Sequence, residues 1–347
     1  MKKILLIATV YRCGERVYST IPELSKIGNI DLLVVGQMSP TCLWYGDNDL
    51  RLDFLESYKK YLRNVYDAGL TYQPKRLDID ISQYDLILYD DQRNRHGIHI
   101  IYKKAKANNI PMIGCTHGAG KCDMEGESKV YDYLLVFGNT EVEINNSHPK
   151  IKKIGIPSND ILKTYRQTNE HILVIVNFLG NRGSKPSIST HVDEDFITQT
   201  GLKQLQEKFN KKIVFKLKSR QDHPYPEKDI AYLHDIIKGS FDYDIIIDGD
   251  NDKIVAESFI VISCPSTLSF KPIQLGIPTV LIKGTQAPSA YFDKYKGLVD
   301  LDTQTIHDEI QRQHDHGKDT QFILDTIEGG VEFNSTEYFI KAIREII

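Results

Sequence analysis

Residues 260–282 read IVISCPSTLSFKPIQLGIPTVLI and have the pattern of a strand, a helix and a second strand. The apolar run 260–263 is followed by a helix-length segment, and a Gly-Ile-Pro turn at 276–278 leads into a second apolar run, 279–282. Short apolar runs on either side of a helix are typical of buried parallel strands joined by a right-handed crossover. The stretch therefore predicts an α/β fold built on a parallel sheet.

The same alternation of apolar runs and helix-length segments forms two series along the chain. The runs of the first series are 4–10, 30–35, 86–89, 111–115 and 134–137. The runs of the second series are 172–177, 213–218, 245–247, 260–263 and 279–282. Each series by itself predicts a Rossmann-like half.

The domain organisation follows from the polar stretch between the two series. A chain of 347 residues is long enough for two domains, and residues 160–170 have the composition of a linker. We predict two Rossmann-like domains that face each other across a cleft, residues 1–165 and 166–333. The last segment, 334–347, begins with Asn-Ser-Thr-Glu, a good N-cap series, and continues with apolar residues at helical spacing. We expect this C-terminal helix to return to the first domain.

The composition limits the partners that the chain can have. Hydrophobic residues make up 41% and charged residues 26%, which is typical of a globular protein and unlike a disordered one. A net charge of −4 argues against a surface built to bind nucleic acid. No apolar run approaches the roughly 20 residues that span a bilayer, and the start of the chain lacks a signal-peptide cleavage site. The sequence predicts a cytoplasmic protein without a membrane span and leaves its oligomeric state open.

The cysteines and a pair of aspartates give little support to a metal site. The five cysteines are widely spread without a C-x-x-C pair, which favours reduced thiols over a disulfide framework or a zinc site. Asp248 and Asp250 form a D-x-D pair of the kind that binds hard cations. A helix-length segment follows this pair at once, so helix capping and turn formation explain it. We expect no metal and no cofactor.

The strongest motif for ligand binding follows the apolar run 260–263. Ser263, Ser266 and Thr267 are small hydroxyl residues at or just before the start of a helix. Hydroxyl groups, backbone N–H groups and the positive end of a helix dipole together bind anions such as a diphosphate. The motif predicts a donor-binding site, with simple helix capping as the alternative.

Two other loops of the second half carry residues that suit phosphates. Arg182, Gly183 and Ser184 lie in a glycine-containing loop that can close on a diphosphate, because a guanidinium forms bidentate bonds to phosphate oxygens. Lys218 and His223 follow the next apolar run and suit a phosphate-rich donor. The alternative for the first loop is a plain surface loop. The alternative for the second is that its lysines point to solvent.

The first half contains the candidate catalytic base. His117 follows the apolar run 111–115 and has glycines close on both sides, so its ring has little steric cover. A histidine titrates near neutral pH and suits a general base for an acceptor hydroxyl. We predict this role for His117, the alternative being a histidine with a structural role.

Further polar residues follow two other apolar runs of the first half. Arg12 and Glu15 lie in the loop after the first run, and Asp91 and Arg93 lie in a polar cluster after the run 86–89. In an open α/β sheet such loops lie at the carboxyl edge, where ligands bind. We predict that Asp91 takes part in catalysis and that the other three contact the acceptor. A solvated loop and helix capping by Asp91 are the alternatives.

With these residues in place, the chain resembles the GT-B superfamily of nucleotide-sugar glycosyltransferases, UDP-GlcNAc 2-epimerases and CDP-glycerol glycerophosphotransferases. The resemblance is carried by THGAGK at 116–121, by KIGIPSNDIL at 153–162, and by residues 252–282 with SCPSTLSF and LGIPTVLI. It covers nearly the whole chain, and it implies two Rossmann-like domains and a nucleotide-linked substrate.

The resemblance also implies roles for particular residues. In the glycerophosphotransferase-like members a His-Gly pair supplies the catalytic base, which implies this role for His117. A Ser-Ser or Ser-Thr pair grips the donor diphosphate in those enzymes, which implies that role for Ser266 and Thr267. The Arg-Pro-Glu pattern of the epimerases is absent, because Arg12 is followed by Cys13.

The leading hypothesis is a metal-independent glycosyltransferase with a histidine base. It moves a sugar from a nucleotide diphosphate-sugar, with UDP favoured, to a hydroxyl of a glycan or polyol. The alternative enzymes are a CDP-glycerol-type glycerophosphotransferase, a UDP-GlcNAc 2-epimerase and a glycosyltransferase that acts on modified DNA bases. The alternative from another class is a non-catalytic nucleotide-sugar sensor.

Overall fold

The structure is a computed structural model in which the chain folds into two compact units. The first unit is Met1–Asp160 with Leu324–Ile347, and the second is Ile161–Ile323. The sequence placed the domain boundaries somewhat further along the chain, after residues 165 and 333. The structure describes residues 2–9, 17, 19–35, 42–45, 80–90, 98–116, 130–145, 148, 150–176, 179, 192–217, 226–283, 292–317 and 319–347.

The described part of the first unit contains a seven-stranded sheet. Its strands are β1 (Lys2–Thr9), β2 (Gly28–Val35), β3 (Cys42–Tyr45), β4 (Leu86–Tyr89), β5 (Met112–Cys115), β6 (Tyr133–Val136) and β7 (Ile151–Lys153). Their order is β3-β2-β1-β4-β5-β6-β7, and neighbouring strands are parallel except for β2 and β3. Ile4 of β1 pairs with Ile30 on one side and with Leu86 on the other. The strand order reverses there, which makes the boundary between β1 and β4 the topological switch point of this sheet.

The described part of the second unit contains a six-stranded sheet in which neighbouring strands are all parallel. Its strands are β8 (His171–Ile175), β9 (Lys212–Lys216), β10 (Tyr243–Ile246), β11 (Ser258–Ser263), β12 (Thr279–Ile282) and β13 (Leu298–Val299). Their order is β10-β9-β8-β11-β12-β13. Val174 of β8 pairs with Phe215 on one side and with Ile262 on the other. The topological switch point of this sheet therefore lies between β8 and β11.

Of the described helices, eight lie between these strands and the last three follow β13. They are α1 (Ile21–Leu24), α2 (Ile98–Ala107), α3 (Asn139–Ile144), α4 (Glu194–Gln199), α5 (Leu202–Phe209), α6 (Pro226–Ile237), α7 (Asn251–Ala256), α8 (Phe270–Leu275), α9 (Thr303–His316), α10 (Thr320–Thr326) and α11 (Ser335–Ile346). Two 3₁₀ helices, Pro157–Thr164 and Thr267–Ser269, bear on the sites described below. None of the helices in the described part of the chain has the length and apolar character to cross a membrane.

Apolar side chains cover both faces of the second sheet. On one face Val174 and Phe215 lie in a cluster with Leu205 of α5. On the other face Val261 lies in a cluster with Val255 of α7. Parallel strands buried on both faces require continuous apolar runs, which is why the sequence shows runs instead of alternation. The predicted α/β class with two Rossmann-like halves is confirmed.

The C-terminal helix α11 packs on the sheet of the first unit, as predicted. Phe339 and Ile343 of α11 lie in one buried cluster with Ile4 and Leu6 of β1. Burial of two large apolar side chains stabilises this contact by several kcal/mol, at roughly 1.5–3 kcal/mol for each. The last helix is therefore part of the core of the first unit.

The N-terminus of α11 is capped by a residue that is distant in the sequence. The sequence pattern predicted a cap from the series that starts at Asn334, but the Asn334 side chain forms no capping hydrogen bond. The Asp160 carboxylate instead accepts hydrogen bonds from the N–H groups of Ser335, at 2.9 Å, and Thr336, at 2.6 Å. The 3₁₀ helix Pro157–Thr164 brings this carboxylate to a helix end whose dipole favours negative charge.

Asp160→Ala is expected to lower the free energy of unfolding by about 1–2 kcal/mol, because two N–H groups at the start of α11 lose their acceptor. Urea unfolding of the variant and the unaltered chain measures the difference. Glu337→Ala is the matched control, since Glu337 is an exposed acidic residue in the same helix turn. The control should lose at most about 0.5 kcal/mol. An equal loss in both variants would contradict the capping role.

Candidate functional site

The candidate site of the second unit lies at its topological switch point. β11 ends at Ser263, and the chain then passes through Cys264 and Pro265 to Ser266, which precedes the 3₁₀ helix Thr267–Ser269. Helix α8 follows without a break and ends at Gly276 in a left-handed conformation, φ 76°. Ligands of open α/β sheets bind outside the carboxyl ends of the strands at such a point. The fold therefore places the predicted serine motif where a ligand is expected.

Three serine hydroxyls form a chain of hydrogen bonds at this point. Ser263 and Ser269 are completely buried, and Ser266 is half-buried. Ser263 Oγ donates to the carbonyl oxygen of Cys264 at 2.8 Å. Ser269 Oγ lies 3.2 Å from the same carbonyl oxygen and 3.1 Å from Ser266 Oγ. The chain of hydroxyls thus runs from the interior of the loop to the partly exposed Ser266.

Ser266 occupies the N-cap position without acting as a side-chain cap. Its backbone is extended, with φ −154° and ψ 163°, and its hydroxyl forms no bond to a backbone N–H of the helix. An N-cap serine ordinarily uses its oxygen to accept such a bond. Simple capping therefore does not account for the Ser266 hydroxyl, whose side-chain partner in the described part of the chain is Ser269 Oγ. Ser263 was also predicted to bind the donor substrate. Its hydroxyl is fully buried, so the substrate would have to reach it inside the loop.

Most of the other predicted site residues lie outside the described part of the chain. These residues are Arg12, Glu15, Asp91, Arg93, His117, Arg182, Gly183, Ser184, Lys218 and His223. Their roles remain predictions. The structure nevertheless describes the strand ends from which several of them follow.

The strand end that precedes His117 is firmly held. Thr116 is buried, and its N–H and its Oγ1 both donate to the carbonyl oxygen of Leu135 on β6, at 2.9 Å and 3.1 Å. These two bonds hold Thr116, the last described residue before His117, at the carboxyl edge of the first sheet. A rigid support of this kind favours accurate positioning of a catalytic side chain.

Asp90 lies at the topological switch point of the first unit. It follows β4 directly, its N–H donates to the carbonyl oxygen of Ile7 on β1 at 3.0 Å, and it is 1% exposed. The residue predicted from the sequence is the next one, Asp91. A carboxylate that comes directly after a fully buried strand was the available signal, since burying a charged group is costly without a specific environment. Asp90 is therefore a further candidate for contacts with an acceptor.

The lysine of β9 two residues before Lys218 points into the fold. Lys216 is 5% exposed, and its Nζ donates to the carbonyl oxygens of Leu217, at 2.7 Å, and Ile247, at 2.5 Å. It ties the ends of β9 and β10 together at the carboxyl edge. The alternative in which the lysines of this strand alternate toward solvent does not hold for Lys216.

Asp250, of the aspartate pair after β10, has a structural role. Asp250 caps α7, because its Oδ1 accepts from the N–H groups of Asp252 and Lys253. Its Oδ2 accepts from the Tyr165 hydroxyl at 2.6 Å. Lys271 forms an ion pair with Asp252 beside it. The described residues include no group of three His, Cys, Asp or Glu side chains that could hold a metal ion.

These hydrogen bonds shift two pKa values in opposite directions. Burial raises the pKa of Asp250, but the bonds from Tyr165 and from two backbone N–H groups outweigh burial, so the pKa lies below its ordinary value. The hydrogen bond to Asp250, together with burial, raises the pKa of Tyr165 to about 12. Folding therefore favours ionised Asp250 and neutral Tyr165.

Tyr165→Phe is expected to make the stability of the second unit less dependent on pH at both extremes. Because the pKa of Asp250 is lowered, its contribution is present above about pH 4 and is lost as the pH falls through the lowered value. Because the pKa of Tyr165 is raised, its contribution is present below about pH 10 and is lost toward pH 12. Free energies of unfolding measured across this range test the expectation.

Tyr102→Phe on α2 is the control for this experiment, and it should keep the profile of the unaltered chain. A Tyr165→Phe variant that loses as much stability at both extremes as the unaltered chain would contradict the role of the pair.

Comparison with known proteins gives structural neighbours only. No family model matches the chain, and no curated protein matches it by sequence. A UDP-GlcNAc 2-epimerase from Neisseria meningitidis bound to UDP-GlcNAc is 13% identical with a TM-score of 0.60, covering 99% of this chain and 100% of its own. A UDP co-structure of MnaA from S. aureus is 14% identical with a TM-score of 0.61, covering 100% of this chain and 97% of its own.

A glycosyltransferase from Rickettsia africae is also similar, at 12% identity and a TM-score of 0.55, covering 99% of this chain and 97% of its own. The chain has the GT-B fold. Because the neighbours align over almost its full length, the fold accounts for both units. Folds of this kind host several activities, so the site decides which one is proposed.

Proposed function

We propose that this GT-B chain is an enzyme that transfers a sugar from a nucleotide diphosphate-sugar, with a UDP-sugar favoured, to an acceptor hydroxyl. The second unit binds the donor and the first unit binds the acceptor. The observation that carries the proposal is the hydroxyl of Ser266, which lies at the switch point of the second sheet without a capping bond. Structural neighbours bound to UDP or UDP-GlcNAc support a uridine nucleotide.

In the proposed reaction His117 takes the proton of the acceptor hydroxyl. The acceptor oxygen forms a bond to the anomeric carbon of the sugar, and the bond from that carbon to the diphosphate oxygen breaks. The nucleoside diphosphate leaves with increased negative charge, which Arg182, Ser266 and Thr267 stabilise. Each atom is accounted for without a metal ion.

The remaining predicted residues have supporting roles in this scheme. Gly183, Ser184, Lys218 and His223 complete the surroundings of the donor phosphates, where positive charge and flexible backbone favour binding. Arg12, Glu15, Asp91 and Arg93 orient the acceptor. We add Asp90 to this acceptor group on the strength of its position directly after β4, at the switch point of the first sheet.

The proposal is tested first by ligand binding and then by turnover. Among UDP-, CDP-, GDP- and ADP-linked sugars, UDP-sugars are expected to raise the thermal unfolding temperature most, because a ligand that binds only the folded state stabilises it. UDP release should then require an added acceptor with a free hydroxyl. If none of these donors raises the unfolding temperature, the proposed function is contradicted.

A UDP-GlcNAc 2-epimerase is the second candidate, because several structural neighbours carry that name. It is separated from the transferase by incubating the protein with UDP-GlcNAc and no acceptor. Conversion of the sugar without release of UDP would favour the epimerase. Transfer from CDP-glycerol, transfer to a modified DNA base, or a bound donor that never reacts would favour the remaining alternatives.

A further inference from the structure

The hydroxyl of Ser266 has a single side-chain partner in the described part of the chain. That partner is Ser269 Oγ, at 3.1 Å, and either oxygen can be the donor. Each hydroxyl has one hydrogen to donate. If Ser266 donates to Ser269, its hydrogen is used inside the protein and cannot reach an anion. If Ser269 donates to Ser266, the hydrogen of Ser266 is free to bind one.

Ser269 can turn its hydroxyl hydrogen away from the Cys264 carbonyl and toward Ser266 without leaving a buried group unsatisfied. Its inward acceptors are the carbonyl oxygen of Cys264, at 3.2 Å, and Ser263 Oγ, at 3.5 Å. The same carbonyl already accepts a shorter bond, 2.8 Å, from Ser263. When Ser269 turns its hydrogen outward, the Cys264 carbonyl keeps one donor, so the large penalty of an orphaned buried acceptor is avoided.

We propose that Ser269 is a positioning residue that makes Ser266 a hydrogen-bond donor to the diphosphate of the donor substrate. The inference rests on the proposed function. With the diphosphate bound, Ser269 donates to Ser266 and Ser266 donates to a phosphate oxygen. Hydrogen bonds in such a chain polarise one another, which strengthens the outer bond to the anion. Ser269 is completely buried and acts through Ser266 alone.

The backbone of the loop holds the hydroxyls of Ser266 and Ser269 next to each other. The N–H of Ser269 donates to the carbonyl oxygen of Ser266 at 3.0 Å, which closes the turn that leads into α8. Ser269 also lies next to Phe270, a fully buried residue stacked on Phe292 with ring centroids 4.9 Å apart. The backbone position of Ser269 is therefore fixed, and rotation of its hydroxyl is the available freedom.

A double-mutant cycle on UDP binding tests this inference. Ser269→Ala should weaken UDP binding about fivefold, the effect of roughly 1 kcal/mol from one hydrogen bond. Ser266→Ala should weaken it at least as much. The double variant should bind UDP like Ser266→Ala alone, because Ser269 acts only through Ser266. Isothermal titration calorimetry with UDP gives the dissociation constants.

The controls separate positioning from a loss of structure. Ser258→Ala removes a buried hydroxyl from β11, the strand that precedes the serine loop, where it donates to the carbonyl oxygen of Ile254 at 2.9 Å. This variant should leave UDP affinity unchanged. Ser269→Cys retains a weak donor of similar size and should bind UDP between the alanine variant and the unaltered chain. It also gives a measurement if Ser269→Ala fails to fold.

Three outcomes would overturn the inference. Unchanged UDP affinity in Ser269→Ala, or a full fivefold loss that persists in the Ser266→Ala background, would each exclude action through Ser266. Both results leave the proposed function intact, since the unaltered chain still binds UDP. An unaltered chain that binds no UDP would instead overturn the proposed function and this inference together.

Discussion

His117→Ala is expected to lower kcat for sugar transfer by about 10²–10⁴-fold while UDP-sugar affinity changes by less than about twofold. The reason is the division of roles between the two units. His117 is predicted to remove a proton from the acceptor, and it follows a strand of the first unit. The donor contacts are predicted on the second unit. Initial rates at saturating donor and acceptor, with donor binding measured separately, give both quantities.

His99→Ala is the control for this variant. His99 is an exposed histidine on α2 of the same unit and is expected to have no effect on kcat or on donor binding. Unchanged turnover in His117→Ala would remove the histidine from the mechanism. Loss of donor binding together with turnover would place His117 on the donor side, contrary to the proposal.

Gly155→Ala is expected to destabilise the first unit by about 3 kcal/mol or more. Gly155 has φ +67°, which costs an alanine about 1–2 kcal/mol. A Cβ atom at this position would also overlap Ser335 Oγ and the carbonyl oxygen of Glu328. Ser335 Oγ accepts from the N–H of Ile156 at 3.1 Å, so the substitution disrupts the contact that holds α11.

Gly239→Ala separates the two causes of that loss. Gly239 has φ +72°, close to that of Gly155, but a Cβ atom there would meet no atom within 4 Å. The control should lose only the backbone cost, about 1–2 kcal/mol. Urea unfolding of both variants measures the difference, and equal losses would contradict a steric role for Gly155.

The strands were predicted well where they are buried. The apolar runs at 86–89, 111–115 and 279–282 correspond to β4, β5 and β12 within a residue. β3 and β13 were not predicted, because β3 is a four-residue antiparallel edge strand and β13 has only two residues. β3 is an apolar run, CLWY, but it pairs antiparallel with β2 and lies outside the strand-helix alternation from which the parallel strands were predicted.

The candidate site was predicted in part. The serine motif at 263–267 was found from residue type and position, and the structure places it at the switch point of the second sheet. Ser269 and Asp90 were missed as candidates. Ser269 is separated from Ser266 by two residues and reads as an ordinary helix residue until the 3₁₀ turn brings the two hydroxyls together. Asp90 directly follows the apolar run 86–89, a signal that the sequence contains, and the structure adds that it is buried.

The sequence by itself determined the α/β class, the two series of strands and the position of the serine motif, because these depend on local patterns of apolar and hydroxyl residues. Only the tertiary structure decided which groups meet across long stretches of chain. Asp160 caps a helix that begins at Ser335, and Tyr165 bonds to Asp250. Such contacts depend on the relative positions of packed elements, and no local pattern in the sequence encodes them.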